Sequence, residues 1–138
     1  MDLNSETVVT GAHAEIQELL THIMNIAIYA THMDLTEGLK ERIRAQFKRL
    51  EKVLDPNARI DVEIGKTTDH HKNGNIYKAE AKIVEPKAEY FADIITTDLY
   101  TSIDSLSDEM FQQVTKSKSK HRALLKRGQS AIKKLLRL

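Results

Sequence analysis

The sequence predicts an α+β domain of order β-α-β-β-β-α, a four-stranded sheet with two amphipathic helices on one face. Two observations carry this expectation. Apolar residues alternate with polar ones in short stretches, and they recur every three to four residues in two longer ones. Turn and breaker residues separate the stretches.

The first strand is expected over Met24–Tyr29, where Ile26 and Ile28 alternate with smaller residues. Asp34 and Glu37 have the spacing of a capping box, so a helix is expected from there. Leu35, Leu39, Ile43, Phe47, Leu50 and Leu54 mark its apolar face, and Asp55-Pro56-Asn57 ends it. Ile60, Val62 and Ile64 alternate with Asp61 and Glu63 as the second strand. Thr67 to Asn75 is a turn carrying the hairpin signal Asn73-Gly74. A third strand from Ile76 to Val84 is broken by Glu85-Pro86-Lys87, and Tyr90 to Thr96 is the fourth. In the last helix, opened by Asp98, the seam is Leu99, Ile103, Leu106, Met110 and Val114, widened by Tyr100 and Phe111.

Composition bounds the rest. With 138 residues, 41% hydrophobic and 30% charged, the chain suits one domain with appendages. The absence of cysteine excludes disulfides and thiolate zinc sites, and a cytoplasmic location is expected. No apolar run approaches the roughly 20 residues that span a bilayer, so no membrane association is expected. The acidic start MDLNSETVV is unlike a basic targeting segment.

The net charge of +1 hides a segregation. Residues 1–23 hold four acidic and no basic residues, whereas residues 116–138 hold nine basic and no acidic ones. Such an uncompensated block suits a polyanion, nucleic acid first. The division expected is therefore an acidic appendage over 1–23, a domain over 24–122 and a basic amphipathic tail over 123–138, with Gly128 as a break in the tail. Ile16, Leu19, Leu20 and Ile23 give the acidic appendage the spacing of a short helix, and docking of this segment on the basic tail is one expectation from the charges. Lys40, Arg44, Lys48 and Lys52 recur every four residues beside the apolar stripe; ordinary pairing with Glu37, Glu41 and Glu51 would equally account for them. Beyond Val114 the last helix continues as TKSKSKHR, basic nearly all round, and is expected to project from the core.

Two of these stretches resemble the ribosome hibernation promoting factors. One is HMDLTEGLK over His32–Lys40; the other runs from Asp98 to Lys120, with Asp-Leu-Tyr-x-x-Ile-Asp, Gln113 and Lys116-x-Lys118-x-Lys120 in register. The resemblance spans Met24 to about Lys120. It implies a fold similar to double-stranded RNA-binding domains and binding to the small ribosomal subunit in its mRNA and tRNA channel, which silences translation in resting or stressed cells. It implies a short form without a dedicated dimerisation domain. Glu109 and Thr115 stand where the family is usually basic, and Thr31 where its first turn usually carries a basic residue.

The expected contacts with ribosomal RNA are Lys40, Arg44, Lys48, Lys52, Lys116, Lys118, Lys120 and Arg122, with His32, Arg49 and His121 as further candidates. Eight phosphate contacts correspond to a log-log salt slope of roughly −6. No enzymatic chemistry, cofactor, metal or small-molecule substrate is expected. Asp69-His70-His71 sits in a turn where adjacent histidines point apart, and no phosphate loop or serine elbow is present. The alternatives are a stand-alone double-stranded RNA-binding module and a protein-interaction module that uses the charged ends.

Overall fold

The computed structural model describes residues 25–67 and 74–137. The elements are β1 (Asn25–Thr31), α1 (Glu37–Phe47) with a 3-10 turn over Lys48–Lys52, β2 (Arg59–Lys66), β3 (Tyr77–Glu85), β4 (Ala88–Thr96) and α2 (Leu99–Leu136). The expected order is the observed one. The sheet runs β1-β2-β3-β4, with β1 parallel to β2 and the other neighbours antiparallel. The helix expected over Ile16–Ile23, the Asp69-His70-His71 cluster and Asn73 lie outside the described residues.

Alternation along the strands sets the layers. Ile60, Val62 and Ile64 of β2 and Ala79, Ala81 and Ile83 of β3 are buried beneath the helices. Leu39, Ile43, Phe47 and Leu50 come down from α1 and its 3-10 turn, and Leu99, Ile103, Leu106, Met110 and Val114 from α2. Removing these side chains from water is the main stabilising term, at about 25 cal/mol per Å² of apolar surface. The opposite sheet face is open to solvent and carries exposed Tyr29, Phe91 and Ile95. At the far end of β1, a Cβ on Gly65 would lie 3.0 Å from the Thr31 carbonyl oxygen, so glycine permits the close pairing there.

Four local expectations are corrected. The cap of α1 is Thr36, not Asp34: Thr36 is extended, and its Oγ1 accepts from the Leu39 N–H at 3.2 Å. Glu37 does not reach back but pairs with Lys40 at 3.1 Å. Second, α1 ends at Phe47 and tightens into the 3-10 turn, closed where the Leu50 carbonyl accepts from Val53 and Leu54 at 3.1 and 3.0 Å. Third, Tyr100 does not widen the seam; it is exposed, with the Arg42 guanidinium 5.9 Å from its ring centre.

Fourth, α2 is unbroken through Gly128. A helical glycine costs about 1 kcal/mol. The alanines, leucines, lysines and arginines on both sides are strong helix formers and outweigh it. At its start, Asp98 caps α2 by accepting from Thr101 N at 3.0 Å and Thr101 Oγ1 at 2.6 Å. These bonds hold the Asp98 carboxyl below its ordinary value.

Two outcomes follow. Thr36→Ala lowers stability in denaturant titrations by about 1 kcal/mol, the usual worth of such a cap. Because the folded state lowers the Asp98 pKa, its contribution is present above the ordinary carboxylate value and is lost as pH falls through the folded one. Asp98→Asn keeps a cap without a titration, so its stability falls less steeply with acid than that of the parent.

Candidate nucleic-acid interface

α1 and α2 lie side by side and run in the same direction, as their cross-links show. Arg42 Nη2 donates to Asp104 Oδ2 at 2.7 Å, and Ser107 Oγ donates to the Gln46 carbonyl at 2.7 Å. Arg49 bonds Ser107 Oγ at 3.1 Å and the Asp108 carboxylate, and its guanidinium lies 4.9 Å from the Phe111 ring centre. Arg49 therefore joins the two helices. Its guanidinium is already occupied by protein partners.

Because the helices are parallel, the 3-10 turn and the outgoing half of α2 lie at the same end of the sheet. The junction there is Glu85, a buried carboxylate at the end of β3. Its Oε2 accepts from the Asp55 N–H at 2.8 Å, just beyond the 3-10 turn, and from Lys118 Nζ at 2.7 Å. Asp55, Glu85, Pro86, Tyr90, Lys118 and His121 line a crevice of about 370 Å³ at this point. From Ser119 to Leu136 every residue of α2 is exposed. Ser119 to Leu136 extends about 27 Å at 1.5 Å per residue.

The structure separates the eight expected contacts into two groups. Arg44, Lys48, Lys52, Lys116, Lys120 and Arg122 are exposed and have no carboxylate within 4.0 Å among the described residues. Lys40 is held by Glu37, and Lys118 is turned toward Glu85. The four-residue stripe does not stay straight, because Lys52 lies on a 3-10 turn with about three residues per turn. Of the pairings with Glu37, Glu41 and Glu51, the structure contains that between Lys40 and Glu37.

His32 and His121 are not brought together. His32 follows β1 at the end of the sheet remote from Glu85 and has a left-handed backbone, φ 58°. His121 lines the crevice beside Lys118.

Thr115 and Glu109 are engaged in hydrogen bonds within the domain. Thr115 Oγ1 donates back to the Phe111 carbonyl at 2.8 Å. Gln113 Nε2 donates to Glu109 Oε1 at 3.1 Å and to the Phe91 carbonyl at 3.0 Å, which fastens α2 to β4. The open sheet face is a poor polyanion surface, since Glu63, Glu80 and Asp93 stand directly opposite one another across β2, β3 and β4. Among the described residues, exposed lysines and arginines without a carboxylate within 4.0 Å cluster on α1, its 3-10 turn and the outgoing end of α2, whereas the open sheet face carries Lys82.

A family model described as Sigma 54 modulation protein / S30EA ribosomal protein matches residues 26–122. The chain belongs to that family. Among curated relatives, the ribosome hibernation promoting factor of Acinetobacter guillouiae is 31% identical over 99 residues, covering 67% of this chain and 86% of the relative. The protein of the same name from Escherichia coli strain K12 is 28% identical, covering 70% and 96%. Two solved structures share the fold. One is a ribosomal subunit interface protein from Coxiella burnetii (TM-score 0.58, 17% identity), over 70% of this chain and 99% of that one. The other is the N-terminal domain of Thermus thermophilus Protein Y (TM-score 0.55, 18% identity), over 67% and 98%. Residues 26–122 are thus the S30EA unit, and the remainder of α2 from Ala123 lies beyond the match.

Glu85 is the residue that the sequence reading passed over as a strand breaker. Its signal was the alternation itself, because position 85 continues the inward-facing series 79, 81, 83. Glu85→Ala is expected to cost about 2 kcal/mol, since it leaves a backbone donor and a lysine without their acceptor. A denaturant double-mutant cycle with Lys118→Ala reads the coupling, which should exceed about 0.5 kcal/mol for residues in direct contact.

Proposed function

We propose that this chain is a ribosome hibernation factor that binds the small ribosomal subunit in its mRNA and tRNA channel and inhibits translation in resting or stressed cells. The family membership and the names of the curated relatives support hibernation as the process. The observation that carries RNA as the contact is the placement of six cations without carboxylate partners along α1, its 3-10 turn and the outgoing part of α2. The mechanism is occupancy. Arg44, Lys48, Lys52, Lys116, Lys120 and Arg122 meet phosphates of ribosomal RNA, and the bound domain denies the channel to mRNA and tRNA.

Affinity comes from counterion release and selectivity from shape, because A-form RNA presents little sequence to side chains. Lys118 contributes indirectly, since its bond to Glu85 fixes the direction in which α2 leaves the sheet. The factor acts in the cytoplasm, where its ribosomal partner is, and needs no cofactor or catalysed step.

A salt titration of purified protein against small subunits tests the contact set. With six contacts at roughly 0.7 to 0.9 each, the log-log slope should be about −4 to −5, shallower than for eight. The triple substitution Lys116→Ala, Lys120→Ala, Arg122→Ala should reduce the magnitude of the slope by about 2 to 3. Binding indifferent to salt would remove the phosphate model. Equal affinity for free duplex RNA would favour the stand-alone RNA-binding module.

A further inference from the structure

The exposed half of α2 has two faces, and ribosomal RNA accounts for only one. Leu124, Leu125, Ile132, Leu135 and Leu136 are each more than half exposed. Together with Gly128 they form one stripe, and at about 100° per residue it continues the line of Ile103, Met110 and Val114 that is buried against the sheet. The core-facing stripe of α2 thus runs on past the end of the core. Leu125, Gly128, Ile132 and Leu135 have the a/d spacing that a second helix recognises. Lys120, Arg127 and Lys134, seven residues apart, border the stripe on one side.

We propose that residues 10–23 of the same chain dock on this stripe as an antiparallel helix. Three observations select this occupant. First, the segment reaches it: β1 begins at Asn25 opposite Arg59, and Arg59 is opposite Val84, beside the Glu85 to which Lys118 is tied. The chain therefore enters the sheet two strands, about 10 Å, from the point where α2 leaves it. Second, the sizes agree. Residues 10–23 as a helix measure about 21 Å, and the stripe from Leu124 to Leu136 about 18 Å. Third, the chemistry is complementary: Ile16, Leu19, Leu20 and Ile23 share one side of such a helix, Glu15 borders it, and residues 1–23 contain four acidic residues and no lysine or arginine.

A second copy of the chain is the less favoured occupant. It would bring another block of nine basic residues against the first. Gly128, with no atom within 4 Å of a built Cβ, leaves room for a close helix approach within one chain.

The test uses the full chain, in which an introduced cysteine is unique because none is present. A nitroxide on Gln129→Cys should weaken the amide signals of residues 12–23 by about half or more, as an intramolecular contact at high effective concentration requires. The weakening should be unchanged on dilution and should vanish in Leu19→Ser/Leu20→Ser, which leaves α2 and the net charge untouched. Full signal intensity in the parent chain would overturn the proposal. So would weakening that fades on dilution or reaches an isotope-labelled, nitroxide-free chain in a mixed sample, because either assigns the stripe to a second copy.

On the hibernation reading, docking also holds Lys120 and Arg127 away from RNA, so Leu19→Ser/Leu20→Ser should raise small-subunit affinity several-fold. Unchanged affinity would overturn this regulatory part. The nitroxide measurement involves no ribosome, so failure of docking and failure of the hibernation reading are read separately.

Discussion

The shape of this protein depends on an apolar stripe that is longer than the sheet it covers. A strand of nine residues spans about 30 Å, whereas the 38 residues of α2 span about 57 Å. Leu99 to Val114 are drawn onto the sheet because each buried aliphatic side chain contributes roughly 1.5 to 3 kcal/mol. Past Val114 there is no sheet left to cover. The helix continues as a basic arm, and its direction is set by the packed half together with the Glu85 to Lys118 bond.

That bond joins three parts of the chain that a linear reading keeps apart: the loop after the 3-10 turn, the β3–β4 turn and the exit of α2. Burial of a carboxylate is unfavourable unless it is paired, and here a backbone N–H and a lysine ammonium both serve it. Lys118 thereby ceases to be a free surface charge and orients its neighbours. Arg49 shows the same division of labour, since Asp108, Ser107 and the Phe111 ring engage it between the helices. A lysine or arginine in a basic stretch is thus either an external contact or an internal fastener. Which one it is depends on whether a carboxylate from another element comes within reach.

The family match and the charge distribution divide the molecule at nearly the same place. Residues 26–122 carry the S30EA fold and the helix-side cations Arg44, Lys48, Lys52, Lys116, Lys120 and Arg122, and the arm beyond Arg122 carries an exposed apolar stripe with further basic residues. The projecting part of the helix leaves its apolar stripe in contact with water, which is unfavourable by about 25 cal/mol per Å² of apolar surface.

By itself the sequence determined the order of the elements, the apolar seams of both helices apart from Tyr100, and the inward series on β2. These follow from periodicity, and periodicity is local. It also marked the basic stretch, because a block of nine uncompensated charges is visible without coordinates. The cap at Thr36 and the 3-10 turn at Lys48–Lys52 were hidden by competing local signals, and Gly128 was misjudged because one breaker was weighed without its strong helix-forming neighbours. Only the tertiary structure decided which cations remain without partners, that α1 and α2 run parallel, and that β1 starts at the same end of the sheet where α2 leaves it. Those facts depend on contacts between residues far apart in the chain, such as Arg42 with Asp104, 62 positions apart, and Gln46 with Ser107, 61 apart. Distances of that kind are set by the packing of the sheet and helices together, which no local pattern contains.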